Sequence, residues 1–316
     1  MDKRQLGDTD LEVYPITLGG NVFGWTLNQK QSFEILNGFE DAGFNFIDTA
    51  DVYSKWKPGN VGGESETIIG NWLKQKANRH QMVLTTKVGG EMGPGKKGLS
   101  KKYILTAVEA SLKRLQTDYL DLYQTHFDDT DTPIAETLEA YTQLIRDGKV
   151  RWIGASNLDP DRLKASLAIS VERELAVYNT LQPHYNLYER ELFENGLEPL
   201  CLGHNLGVLP YYSLAGGFLS GKYRSKADLN KSPRGAGVEK YLNERGFKIL
   251  DALDQIAKQY NTTVATVALS WLVQRPSVTA PIVSATSRTQ LQSIIAAPEL
   301  NLDANTIATL TAASAW

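Results

Sequence analysis

Short strand-like runs alternate with helical patterns along nearly the whole chain, and this alternation limits the fold more than any single residue does. Candidate strands fall at 16–20, 44–49, 82–88, 119–126, 150–156, 176–182, 207–212 and 280–284. Each is short, rich in Val, Ile, Leu or Tyr, and mostly bounded by Gly, Asn, Asp or Thr. Between them, Phe33, Ile35, Leu36 and Phe39 keep helical spacing, as do Ile104, Val108, Leu112 and Leu115. Thr132-Pro133 and Asp159-Pro160 read as N-caps followed by proline at the first helical position, and Ser287 to Gln290 has capping-box form. Eight β-then-α units of about 30–40 residues each predict a closed parallel barrel rather than an open sheet. The expectation is therefore an α/β protein, a (β/α)8 TIM barrel, as one domain over residues 1–316. A β-hairpin at 3–6 and 11–13, around Gly7-Asp8-Thr9, precedes the barrel, and extra helices close the C-terminus, the last over 303–315. Residues 216–246 break the rhythm. They carry several glycines and seven Lys/Arg against three Asp/Glu, and a segment of that length without periodicity is functional or disordered.

A net charge of −3 gives no reason to expect a nucleic-acid or anionic-membrane partner. The one cysteine, Cys201, cannot form an internal disulfide and reads as core in a reducing compartment. Residues 1–13 hold no apolar stretch of the secretory kind, and no run approaches 18 apolar residues. A cytoplasmic protein is expected; its oligomeric state is not legible. The four histidines show no paired ligand spacing, so no metal is expected.

Polar residues collect at the ends of the candidate strands. Asp48 ends the second, Lys87 the third, His126 the fourth, Ser156 and Asn157 the fifth, Gln182 the sixth, Tyr212 and Ser213 the seventh. In an eight-stranded barrel these ends open on one face, and that face carries the chemistry. Each residue also has a plainer reading. Asp48 could cap a turn, Lys87 could reach to water, His126 could be structural, and Tyr53 could pack. Their coincidence on three consecutive strands and the loop after the first lifts the functional reading. The set suits proton delivery from a phenol. A cationic Lys87 beside Tyr53 would lower a pKa that normally lies near ~10, Asp48 would balance the lysine, and His126 could hold a carbonyl oxygen near the phenol. These residues do not say what attacks the carbonyl carbon.

Two rival motifs lie in GEMGPGKKG, residues 90–98. The dinucleotide fingerprint fails because Asp118 and Asp121 start the following strand rather than end it, and the P-loop fails because Lys97 stands where Ser or Thr should. A flexible basic loop near the barrel mouth is expected instead.

GFNFIDTADVY (43–53), GGESETIIG (62–70), SLKRLQTDYLDLYQTH (111–126), GKVRWIGASN (148–157) and YYSLAGGFLSGKY (211–223) together resemble the aldo-keto reductases, nearly end to end. The resemblance implies a nicotinamide-dependent barrel that reduces aldehydes and ketones. It implies that Tyr53 is the proton donor, that Lys87 and Asp48 tune it, and that His126 positions the carbonyl. It implies that Ser156, Asn157 and Gln182 hold the nicotinamide carboxamide and that Tyr212 stacks on the ring. Ser213, Leu214, Gly216, Leu219, Gly221 and Lys222 match the segment that wraps the pyrophosphate. The chain departs from the family at 281–294, where it has Val283, Ser284, Thr286, Gln290 and Ile294, with Arg288 the only strong cation. Ser284, Arg288 and Gln290 are the expected contacts there, with NADPH as cofactor and NADH as the alternative. Trp25, Trp56 and Phe127 are expected at the mouth, forming an apolar cleft for a small carbonyl compound. Potassium-channel β-subunits look like the same barrel, so a cofactor-binding regulator with little turnover is the competing expectation. Such regulators often carry an N-terminal extension, and the hairpin starting near residue 3 favours the expectation of an enzyme.

Overall fold

The computed structural model describes residues 2–316. Ten strands and ten α-helices run in chain order: β1 (Arg4–Gln5), β2 (Glu12–Val13), β3 (Thr17–Gly19), α1 (Gln29–Asp41), β4 (Phe46–Asp48), α2 (Glu64–Lys76), β5 (Val83–Val88), α3 (Lys101–Leu115), β6 (Leu120–Thr125), α4 (Ile134–Arg146), β7 (Val150–Ser156), α5 (Pro160–Glu172), β8 (Tyr178–Gln182), α6 (Glu198–Gly203), β9 (Gly207–Val208), α7 (Glu244–Gln259), α8 (Val264–Val273), β10 (Ile282–Val283), α9 (Arg288–Ile295) and α10 (Ala304–Ala313). Eight parallel strands form one curled sheet in the order β10-β3-β4-β5-β6-β7-β8-β9. Its two edges meet through backbone bonds from Thr279 N–H to the Val208 carbonyl (2.9 Å) and from Ile282 N–H to the Pro210 carbonyl (2.8 Å). This arrangement is consistent with a (β/α)8 barrel.

The expected hairpin is present as the antiparallel pair β1–β2. Its Leu6, Leu11 and Val13 pack with Phe46, Val83, Leu122 and Leu209, which are strand residues or lie next to one. The hairpin thus seals one end of the barrel with apolar side chains. A larger apolar cluster fills the layer between the sheet and its helices. Near the start of β6, Asp121 pairs with Arg79 at 2.8 Å and Arg151 at 2.7 Å. A charge cluster at that end of the strands serves stability, not chemistry.

Several local expectations hold. Asp159 caps α5 with Pro160 in its first turn, and the final helix forms with Asp303 as its cap. Others need correction. Pro133 itself occupies the N-cap of α4, while Thr132 bonds Asp129 instead. Ser287 accepts from Gln290 N–H, but the Gln290 side chain turns back to Thr286, so only half of a capping box forms. Apart from β7, which spans 150–156 as expected, the strands are shorter than the apolar runs that mark them, because pairing stops where the chain turns out of the sheet. The 216–246 segment is a strap of short 3-10 turns at 215–220, 226–231 and 235–241. The 90–98 loop is an exposed turn with Gly93 and Gly95 in left-handed conformations. Cys201 is buried and free, its thiol pushed by burial to about 12. Among the described residues, no helix is long and apolar enough to cross a membrane, and no three His, Cys, Asp or Glu side chains gather as metal ligands would.

Candidate active site

Side chains along a strand alternate faces, so parity decides which residues enter the barrel. Phe46 packs with the interior hairpin plug, so Asp48, two residues on, also points inward, while Ile47 joins the outer cluster. The same parity carries Val83 to Lys87 on β5 and Leu122 to His126 just past β6. Thr86 faces outward and donates to Glu66 of α2 at 2.6 Å.

Tyr53 arrives by a different route. After β4 the chain makes a tight turn, with Tyr53 N–H bonded to the Ala50 carbonyl. Ser54 follows at φ 72, a left-handed conformation unfavourable for a residue other than glycine. Its hydroxyl, buried and bonded to the Phe23 carbonyl at 2.6 Å, holds the turn in place.

The four side chains meet. Lys87 Nζ donates to Asp48 Oδ2 at 2.7 Å, to the Thr49 carbonyl at 2.7 Å and to the Tyr53 hydroxyl at 2.9 Å, so all three of its donors are engaged. The Tyr53 hydroxyl lies 3.3 Å from Asp48 Oδ2. Gln182 Nε2 donates to the other Asp48 oxygen at 3.0 Å. The His126 ring stands edge-on to Tyr53, with centroids 5.8 Å apart. Lys87 and Asp48 are fully buried, so each is the other's counter-charge.

The protonation states follow from burial. Burial, then the negative charge of Asp48 and the hydrogen bond to it, push the Tyr53 phenol well above its ordinary value. This corrects the expected lowering by Lys87. Burial and Asp48 outweigh the hydrogen bond that Lys87 donates to the resting phenol. Burial also lowers the Lys87 ammonium, against the opposing pull of Asp48. His126 is driven well below the usual imidazole value by burial and then by Lys87, so it is neutral. The site thus holds a protonated phenol beside a neutral imidazole.

The other expected residues follow the ends of the later strands. Ser156 bonds the Gln182 carbonyl at 2.9 Å. Asn157, at φ 55, donates to the His126 carbonyl and accepts from the Tyr211 hydroxyl, which ties three strand ends together. Tyr212 is half exposed at φ 53, leaving its ring open as a platform. Ser213 is buried, its hydroxyl 2.7 Å from the Ile282 carbonyl, and it anchors the strap to β10. Leu214 packs against the outer core and Leu219 lies within it. Ala215, Gly216, Gly217 and Gly221 all have positive φ. Such left-handed residues build the backbone concavities that hold anions. Lys222 Nζ lies over the Tyr223 ring at 5.0 Å and in no ion pair among the described residues. These features fit a ligand with an aromatic head and a phosphate-bearing tail. Ser284 bonds the Gly19 carbonyl and Asn21, and Gln290 bonds Thr286, while Arg288 is exposed. Asn21 had no signal in the sequence.

The three residues expected at the mouth pack near Tyr53 and His126. Trp56 meets it edge-on at 6.0 Å, Trp25 meets Trp56 edge-on at 5.5 Å, and Phe127 stacks on His126 at 4.3 Å. Two further residues escaped the sequence reading. Arg234, in the strap, lies over Trp25 at 5.5 Å. Asp51, buried beside the Lys87 backbone, has neither carboxylate oxygen hydrogen-bonded.

Comparison with known proteins gives the family. The Aldo/keto reductase family model matches residues 15–315. The chain is 36% identical over 311 residues to the uncharacterized oxidoreductase YrpG of Bacillus subtilis, spanning 96% of this chain and 93% of that protein. It is 32% identical over 302 residues to a probable voltage-gated potassium channel subunit beta of Arabidopsis thaliana, spanning 92% and 89%. It is also 32% identical over 304 residues to the aldo-keto reductase YhdN of Bacillus subtilis, spanning 93% and 88%. The chain belongs to the aldo/keto reductase family, whose members are oxidoreductases that generally use NAD(P)H.

Proposed function

We propose that this protein is an NADPH-dependent carbonyl reductase of the cytoplasm, converting a small aldehyde or ketone to an alcohol with Tyr53 as proton donor. The observation that carries this reading is the Lys87 ammonium 2.9 Å from the Tyr53 hydroxyl and 2.7 Å from Asp48, beside a neutral His126. A substrate carbonyl oxygen fits between the Tyr53 hydroxyl and the His126 imidazole. As negative charge grows on that oxygen, Tyr53 gives up its proton. Lys87 stabilises the phenolate that remains, and Asp48 keeps Lys87 charged and aimed. Reduced nicotinamide, when bound, supplies the hydride. Gln182, Ser156 and Asn157 are the residues that would fix its carboxamide, and Tyr212 would stack on its ring. Correct orientation of that kind is worth up to ~7–11 kcal/mol of barrier. Ser213, Leu214, Gly216, Leu219, Gly221 and Lys222 would wrap the diphosphate. Ser284, Arg288 and Gln290 would meet the adenosine end, with Arg288 the cation for a 2′-phosphate. Trp25, Trp56 and Phe127 would enclose the substrate and exclude water.

The test is to mix the protein with NADPH and 4-nitrobenzaldehyde and follow the absorbance of the reduced nicotinamide. Steady loss is expected from the parent. Tyr53→Phe should still bind NADPH but lose about 10²–10⁴ in kcat. If the variant matches the parent, the proton-donor assignment is wrong. Similarity to a protein named as a potassium channel subunit supports a second reading, a cofactor-binding regulator. Tight NADPH binding without turnover of any carbonyl compound would favour it.

A further inference from the structure

Tyr53 reaches the site on a turn, and between Asp48 and Tyr53 this turn buries a second carboxyl, Asp51. The Asp51 N–H bonds the Lys87 carbonyl at 3.3 Å, and the Tyr53 N–H bonds the Ala50 carbonyl at 3.2 Å. Ser54 follows at φ 72, held by its hydroxyl bond to the Phe23 carbonyl. Gly59, Gly62 and Gly63 then take positive φ before α2 begins at Glu64. A strained serine and three left-handed glycines give the connection from β4 to α2 the freedom to re-set its backbone.

Asp51 is 1% exposed, and neither of its oxygens has a hydrogen-bond partner. The titratable and charged groups that face it are Glu66 of α2, Arg114 and Tyr103 of α3, Lys87 of β5, Tyr123 of β6 and Tyr141 of α4. Glu66 takes Arg114 on one oxygen and the Thr86 hydroxyl on the other, each at 2.6 Å. Lys87 spends its three donors on Asp48, Thr49 and Tyr53. Neither cation donates to Asp51. Burial, and then the charge of Glu66, keep the carboxyl protonated up to a pH of about 8. The pocket thus accepts a neutral acid and rejects an anion. A buried charge without a partner either takes up a proton or moves to water.

We propose that Asp51 is a latch that docks the Tyr53 turn only while it carries its proton, so that in alkaline solution the turn swings out and withdraws the phenol from Lys87. Its effect on turnover rests on the reductase reading above; the movement itself does not. Asp51 touches no substrate and acts through Tyr53, as a positioning residue. The proton leaves to solvent, the carboxylate follows it to water, and the short peptide link between residues 51 and 53 carries Tyr53 along. Reprotonation lets the acid back into its pocket, so the loss is reversible.

The experiment compares the parent with Asp51→Asn, which keeps the shape of the acid and cannot ionise. With NADPH and 4-nitrobenzaldehyde, kcat/KM of the parent divided by that of the variant should fall about 10-fold between pH 6.5 and pH 9, because one pH unit above the midpoint about one molecule in ten keeps its proton. Any alkaline limb that belongs to Tyr53 or Lys87 themselves is common to both proteins and cancels in the ratio. Returning the parent to pH 6.5 should restore its rate. Hydrogen exchange reads the movement without turnover. Amides of residues 51–57 should exchange about 10-fold faster in the parent than in the variant at pH 9, and equally in both at pH 6.5. A protein that reduces no aldehyde sinks the reductase reading, while the exchange measurement still decides the latch. A rate ratio that holds steady across this range, or exchange that is equal at pH 9, overturns the proposal. So does NADPH binding that weakens in step with the rate, since that would mark a general loosening rather than a movement of one turn. Should Asp51→Asn fail to fold, Asp51→Leu carries the same two expectations.

Discussion

Asp48, inside the barrel, and Asp51, in the layer behind β5, lie three residues apart, and the protein treats these two buried carboxylates in opposite ways. Asp48 has Lys87 on one oxygen and Gln182 on the other. Asp51 is equally buried, yet neither of its oxygens is hydrogen-bonded. The charged groups facing it are Glu66 from α2, Arg114 from α3 and Lys87 from β5, and its field falls on Tyr103, Tyr123 and Tyr141. Glu66 already takes up Arg114 at 2.6 Å, so that cation is shared away from Asp51. Burial first, and then Glu66, raise the Asp51 carboxyl to about 8. The difference teaches that burial alone does not decide charge. The number of donors a pocket aims at a carboxylate does.

The sharpest way to break this comparison is to remove the Asp51 proton site. The folded carboxyl keeps its proton up to a pH of about 8, whereas an unfolded one releases it near ~4. Its contribution to stability is therefore complete below ~4 and is lost as pH rises through the folded value, a drain on the order of 5 kcal/mol by pH 9. Asp51→Asn should lose that drain. It should melt well above the parent at pH 9 and close to it at pH 5, by calorimetry at matched ionic strength. Equal melting shifts at both pH values would show that Asp51 is paired in solution.

The next test acts on the satisfied carboxylate. Lys87→Met leaves Asp48 buried with Gln182 as its remaining donor and should cost about 3–5 kcal/mol in denaturant unfolding. Adding Asp48→Asn to Lys87→Met should recover most of that loss, because the unmatched charge is gone. Both proteins should lack reductase turnover, so stability and activity part company. If the double variant is no more stable than the single one, the cost lies in lost packing, and Asp48 is less dependent on its lysine than the geometry implies.

Much of this site was legible in the sequence, for a physical reason. Strand parity is fixed by the pleat, so an Asp two residues after Phe46 and a His four residues after Leu122 must share the interior face. Lys87, Gln182 and Ser156 sit at strand ends by the same rule. What could not be read was which polar groups are left without partners. The basic excess of 216–246 was visible in composition, but only the folded strap shows five of its seven cations engaged and Arg234 brought to Trp25, more than two hundred residues away. Asp51 lies in the most informative stretch of the chain and still gave no signal, because its character depends on Glu66 and Arg114 from two helices. The phenol of Tyr53 was read with the wrong sign for the same reason. Adjacency to a lysine was foreseen, but the matching of that lysine by Asp48 and the depth of burial dominate.

The smallest effect separates two tyrosines in the layer that holds Asp51. Tyr141 and Tyr123 are both fully buried and meet edge to face at 5.9 Å. The Tyr141 hydroxyl shares Thr125 at 2.9 Å with Tyr178, whereas the Tyr123 hydroxyl has no partner. Burial pushes both phenols well above their usual value, so neither ionises in the working range and the contrast is one of hydrogen bonding alone. Removing a bonded hydroxyl costs about 1 kcal/mol, while removing an unbonded one relieves a desolvated dipole. Tyr141→Phe should therefore lose about 1 kcal/mol in urea unfolding, and Tyr123→Phe should be neutral or gain up to about 1 kcal/mol. A loss at Tyr123 as large as that at Tyr141 would mean its hydroxyl is satisfied after all, and the contrast between the two tyrosines would fall.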